Sequence, residues 1–239
     1  MELTTYFLGS FYIMNSIFRF SNNFTNFLFN KKYINLPISK FEKINECIYS
    51  SIHALLVSIM SSLSITNSLL DSKSIVIEYD NKLQFFTTTF CFSYFLIDLV
   101  KCLYYQKYLF ILHHLAALNL LIFTIYSFYN YENKGFYAMY LIFLLESNTV
   151  LLNLGFLLKE FKFHYSITCT SWIIHLFFFI LFRIITMPRI LFIYYINEKL
   201  SLANISQLPS FILILSGSVY WAYRQTIGIN KYLKENSVI

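Results

Sequence analysis

Charged residues are scarce: they make up 13% of the 239 residues, where a soluble domain carries roughly a quarter. So few cannot build a water-facing surface, and a soluble globular fold is excluded. The four cysteines, Cys47, Cys91, Cys102 and Cys169, are scattered without a C-x-x-C pair, so neither a structural zinc framework nor a disulfide framework is indicated. Glycine (5) and proline (3) are few. The sequence has no internal repeat and no pair of glycine- or proline-broken helices of the kind secondary transporters carry. The net charge of +6 forms no block; its lysines punctuate apolar segments, which suits anionic lipid better than nucleic acid. No low-complexity tract and no soluble domain is visible.

What is abundant is hydrophobic: 57% of the residues, with 27 Phe and 20 Tyr and a mean hydropathy of +0.57. Part of the aromatic excess reflects A/T-rich codons. The composition predicts an all-α, polytopic integral membrane protein, a transmembrane bundle of six to seven helices with a polar interior. Apolar runs of about bilayer-spanning length fall at 3–20, 47–65, 85–105, 108–128, 136–158, 166–185 and 209–227. The first is the weakest, being short and interrupted by Asn15; with Glu2 leading and Arg19 following, it does not read as a signal peptide. Residues 21–46 read as a polar connection broken by Pro37, its Phe-rich half lying along the interface. The sixth run is expected to end before Pro188. The resulting division is a first helix with a basic connection (1–42), a transmembrane domain (43–228) and a short basic tail (229–239). Lysines and arginines crowd the side that holds the C-terminus, so that side is expected to be cytosolic and the N-terminus lumenal. Asn204 begins a sequon on the lumenal side.

Ionisable groups in hydrocarbon cost at least ~2.5–3.5 kcal/mol each on insertion scales, so those present are expected to face one another. The doublet His113-His114 sits in the fourth run, Asp98 in the third and Glu146 in the fifth. Glu146, Thr149 and Asn153 fall at i, i+3 and i+7, on one helix face. Thr168, Ser171, His175, Phe179 and Arg183 make a similar stripe on the sixth run, and Tyr49, Ser50 and His53 another on the second. Plainer roles compete. His53 would serve equally as helix–helix glue, Asp98 could pair with Lys101 at i+3 while Lys101 snorkels, and Arg183 could anchor to headgroups near a helix end. The adjacent histidines lack the i, i+4 spacing of a helical metal pair, so no metal is assigned.

Several of these elements, in this order, resemble the TLC family, named for TRAM, Lag1 and CLN8 proteins. They are Ser50-Ser51-Ile52-His53-Ala54, Tyr94-Phe95-Leu96-Ile97-Asp98, Leu112-His113-His114, Glu146 with Thr149 and Asn153, and Arg183. The likeness runs from about residue 43 to 221. It implies an endoplasmic-reticulum or related endomembrane protein (a host endomembrane if the gene is viral) that handles lipid. Where the ceramide-synthase branch carries a paired-aspartate element, this chain has Glu146-Ser147-Asn148, so it looks closer to the smaller TLC-domain and CLN8-like members.

Three functions follow as expectations. The first is lipid binding by a His/Asp/Glu chamber, in lipid metabolism or membrane-lipid homeostasis, with His53, Glu146, Thr149, Asn153, His175 and Arg183 as binding residues. The second is ceramide-synthase-like N-acyl transfer to a sphingoid base, with His113, His114 and Asp98 catalytic and acyl-CoA as co-substrate. The third is a trafficking adaptor or a proton-coupled transporter. In each the partners are membrane lipids, with no bound cofactor.

Overall fold

The computed structural model describes residues 2–32, 38–70, 76–130, 135–197 and 206–236; Pro37 and the sequon residue Asn204 lie outside them. All regular structure among the described residues is helical: α1 (Glu2–Lys32), α2 (Ile38–Leu70), α3 (Val76–Tyr104), α4 (Tyr108–Asn130), α5 (Gly135–Glu160), α6 (Tyr165–Phe179), a π-helical segment (Ile180–Thr186), α7 (Met187–Asn197) and α8 (Leu208–Asn236). α6, the π segment and α7 form one continuous rod. Five stretches are long and apolar enough to cross a membrane: Ser39–Thr66, Lys82–Tyr104, Tyr108–Tyr126, Ala138–Glu160 and Tyr165–Phe192. Their outward faces keep large apolar side chains exposed, among them Leu55, Ile59 and Leu63 on α2 and Ile173 and Phe177 on α6. Water would not tolerate so much uncovered apolar surface; acyl tails would. The chain is a multi-pass integral membrane protein with an all-helical fold.

The helices outrun the apolar segments in several places. α1 does not stop near residue 20 to give an interfacial stretch; it continues to Lys32. Its mid-helix polar residues find partners instead of water: the Ser21 hydroxyl donates to Asn45 Oδ1 on α2 at 2.7 Å, and Thr25 donates to the Ser21 carbonyl at 2.7 Å. α8 likewise passes residue 229, so the basic tail is helical as far as Asn236, with a Lys231–Glu235 pair at i, i+4 on its last turns.

Pro188 does not end the sixth span. A proline within an α-helix removes a backbone donor and crowds the carbonyl four residues earlier. Here the turns just before it widen into the π segment, a local adjustment that membrane helices use to re-satisfy freed backbone groups. The Met187 N–H reaches the Phe182 carbonyl in the wider register, and Thr186 Oγ1 donates to the Leu181 carbonyl at 2.7 Å.

Two tight turns at one end of the bundle share one geometry. Gln106 (φ 53°) and Lys162 (φ 57°) are left-handed residues closing α3 and α5. The Lys107 N–H bonds the Cys102 carbonyl and the Gln106 N–H that of Leu103; Phe163 and Lys162 do the same with Leu158 and Lys159. This is the Schellman pattern, which caps orphan carbonyls at a helix C-terminus.

α2 packs most extensively on α5, and α3 packs on α4, α2 and α1. Met14, Tyr49, Val57, Phe90, Tyr94 and Met139 form the main buried cluster. Ala116, Met187 and Ile214 join α4, α7 and α8, while Cys169, Trp172 and Ile229 join α6 to α8. Gly155 brings α5 against α6: a Cβ there would land on the Trp172 indole. These packings leave a space between α2, α3, α4, α5, α6 and α8.

Candidate functional site

That space is a cavity of about 870 Å³. The extended α2–α5 contact and the close α5–α6 approach at Gly155 bring four polar helix faces to it. Asp98 from α3, His113 and His114 from α4, and Glu146, Thr149 and Asn153 from α5 line its wall, with His175 from α6 and Arg183 from the π segment. The i, i+3, i+7 spacing of Glu146, Thr149 and Asn153 is what sets all three on the inward side of one helix.

Within this group the closest ionic contact is His114 Nε2 to Asp98 Oδ2, at 2.8 Å. Phe95 packs against both histidines, its ring centroid 5.4 Å from that of His114 and 6.4 Å from that of His113. The His113 ring meets Trp221 of α8 edge-on, at 5.0 Å. One turn along α8, Gln225 Nε2 lies 2.6 Å from His175 Nδ1, and Asn148 Nδ2 donates to the His175 carbonyl at 3.3 Å. An Arg183 Nη2–H donates to the Leu145 carbonyl, and the guanidinium stands 5.1 Å from the centre of the Phe179 ring. Arg183 is buried in the middle of the α6–α7 rod; it is not a headgroup anchor at a helix end, because the π segment carries the rod past it.

His53 is set apart. It is fully buried and does not line the cavity. Its ring stacks on Tyr94 at 3.8 Å and 6°, and Nδ1 lies 3.7 Å from Glu146 Oε2. It therefore backs the wall, holding Tyr94 and Glu146, while the Tyr94 hydroxyl donates to Ser50 Oγ at 3.1 Å. Thr168 and Ser171, expected on the same stripe as His175, also fall outside the lining. Asp98 finds its partner in His114 and not in Lys101, whose ammonium sits over the Phe18 and Tyr49 rings at 4.6 and 4.7 Å.

Several buried polar atoms have no hydrogen-bond partner: both ring nitrogens of His53, Nδ1 of His113, both ring nitrogens of His114, Nδ2 of Asn153 and Nε of Arg183. Of these, His114 Nε2 stands 2.8 Å from Asp98 Oδ2 and His53 Nδ1 3.7 Å from Glu146 Oε2, so both rings face a carboxylate. At one end of the cavity the lining becomes cationic: Lys43, Lys101, Lys107, Lys159, Arg224 and Lys231. Acidic residues offset part of this charge, with Glu160 3.7 Å from Lys43, Glu46 4.0 Å from Lys107 and Glu235 3.8 Å from Lys231. The remainder of the wall is aromatic and apolar, through Phe95, Phe110, Leu152, Phe156, Trp172 and Ile229. The lining is amphipathic.

Sequence reasoning missed the contribution of α8. Trp221, Gln225, Gly228 and Tyr232 all line the cavity, and their spacing of 4, 3 and 4 marks a single helix face. It also passed over Cys102, one turn beyond Asp98. Ligand atoms of Asp98, Cys102 and His114 lie within 4.8 Å of one another, a grouping able to hold a metal ion.

Compared with known proteins, residues 43–226 match a family model, the TLC domain of TRAM, LAG1 and CLN8 proteins. No curated protein and no solved structure matches the chain.

Proposed function

The chain belongs to the TLC-domain family, and from that premise we propose that it acts in lipid metabolism or membrane-lipid homeostasis by holding one lipid in its intramembrane chamber. One observation carries the reading: a cavity of about 870 Å³ whose wall combines basic side chains, aromatic and apolar side chains, and a cluster of His, Asp, Glu and Arg. A pocket of that size suits a ligand with a charged head and an apolar body. The rim attracts a negative or zwitterionic headgroup, and the polar residues His113, His114 and Asn153 on the cavity wall face its polar linkage. By the excess of cations on that side, the rim faces the cytosol of an endoplasmic-reticulum or related membrane.

The test is lipid mass spectrometry of the purified chain beside Leu152→Trp, which fills the cavity from α5. Wild type retains a lipid at near one per chain, and the variant loses at least about tenfold of it, a loss of roughly 1.4 kcal/mol in binding. Equal lipid content in both proteins contradicts the reading.

A second reading, acyl transfer, is favoured by the 2.8 Å contact between His114 and Asp98. In it a lipid amine, such as a sphingoid base, attacks the thioester carbonyl of an acyl-CoA. The N–C bond forms, the C–S bond breaks, and coenzyme A leaves as the thiol. His113 or His114 takes the amine proton, and Asp98 orients the ring as carboxylates do in other histidine-dependent sites. Labelled acyl-CoA would be converted to amide by the wild type and not by a His113→Ala/His114→Ala variant; equal turnover removes this reading and leaves the binding one standing.

A further inference from the structure

We propose that Asp98, Cys102 and His114 form a binding site for one divalent cation of the zinc class, open on its remaining side to the chamber. Asp98 and Cys102 lie at i and i+4 on α3, so they project from one face one turn apart. His114 meets them from α4. Their ligand atoms fall within 4.8 Å of one another. Ligand atoms around one tetrahedral zinc lie roughly 3.3–3.8 Å apart, so side-chain rotations that shift these atoms by about 1 Å complete the set.

The surroundings fit. Cys102 and His114 are each only 5% exposed, and all three residues line the cavity. His114 Nε2 stands 2.8 Å from Asp98 Oδ2, so an imidazole nitrogen and a carboxylate oxygen are already drawn together one turn from the Cys102 thiol, and a cation would replace the proton they share. The nearby ammonium groups are engaged elsewhere: Lys101 over the Phe18 and Tyr49 rings, and Lys107 at 4.0 Å from Glu46. Glu46 and the Asp98 carboxylate keep the local charge from being wholly cationic.

The donor set selects the ion. A thiolate with an imidazole and a carboxylate suits zinc or cobalt, while magnesium and calcium take oxygen ligands. Three protein ligands with a fourth position open is the arrangement of zinc sites that bind a further oxygen; here that oxygen would come from the headgroup of the molecule in the chamber. His114 then serves as a ligand and not as a proton acceptor. The proposal does not depend on lipid binding, because the cation can be measured with the chamber free of added lipid.

The test uses the full chain in detergent, stripped with chelator under reducing conditions and titrated with Co²⁺ alone. The expected result is one cobalt per chain with a thiolate-to-cobalt charge-transfer absorption, displaced by Zn²⁺. That absorption disappears in Cys102→Ser and persists in Cys169→Ser, and the affinity falls at least about tenfold in Asp98→Asn and in His114→Gln. A wild-type chain that gives no such absorption overturns the proposal, as does an absorption that survives Cys102→Ser.

Discussion

Gly155 lies so close beneath the Trp172 indole that no side chain fits between them. This contact sets the separation of α5 and α6, and with it the width of the chamber between Asn153 and His175. Membrane helices approach closely where small residues allow it. Gly155→Ala should therefore destabilise the chain by about 1–3 kcal/mol, the usual range for overpacking. Thermal unfolding of the purified variant checks this, and an unchanged midpoint would show that the indole moves aside freely.

His53, behind the chamber wall, faces Glu146 on it at 3.7 Å. Residues coupled in this way give non-additive effects of about 0.5–3 kcal/mol. A double-mutant cycle with His53→Leu and Glu146→Gln, read by unfolding, should show that coupling. Strict additivity would mean that the two side chains hold Tyr94 and the cavity independently.

Gln106 and Lys162 each hold a left-handed backbone at a helix end, where a side chain costs roughly 1–2 kcal/mol. Glycine has no Cβ to clash there, so at either position it should raise stability by about 0.5–1 kcal/mol. Isoleucine, branched at Cβ, should lower it. A lower unfolding midpoint in both Gln106→Gly and Lys162→Gly would contradict a left-handed backbone at these two turns.

Pro188 and the π segment before it belong together. Pro188→Ala restores a backbone donor and allows Ile180–Thr186 to tighten to α-helix, which would turn Arg183 by about 100° per residue of register. The variant should fold at least as stably as wild type while retaining several-fold less lipid, as measured by mass spectrometry. Wild-type lipid content in a stable Pro188→Ala chain would separate Arg183 from ligand binding.

Much of the architecture could be read from the sequence because hydrocarbon imposes a simple rule. Long apolar runs must be helical to satisfy their backbone, and α2 to α5 follow from that alone. The same economy of charge pointed Asp98, His113, His114 and Glu146 at a common interior, and all four line the cavity. What escaped was set by tertiary partners. The passage of α1 beyond residue 20 depends on Ser21 meeting Asn45, which no local pattern announces. The continuation past Pro188 depends on a π register that propensity does not encode. The face of α8 went unread because its charges, Arg224 and Lys231, read as part of a basic cytosolic end, and the pairing of Cys102 with Asp98 because cysteines were weighed only against one another.

The convergence of these side chains on a ligand-holding interior can be probed by a photoactivatable phospholipid carrying a diazirine in its acyl chain, cross-linked to the purified chain and mapped by peptide mass spectrometry. Adducts should concentrate on Leu152, Phe156, Trp221 and Ile229, which come from two separate helices and share the cavity wall. Adducts confined to outward-facing Leu55, Ile59, Leu63 and Phe177, with none inside, would contradict it.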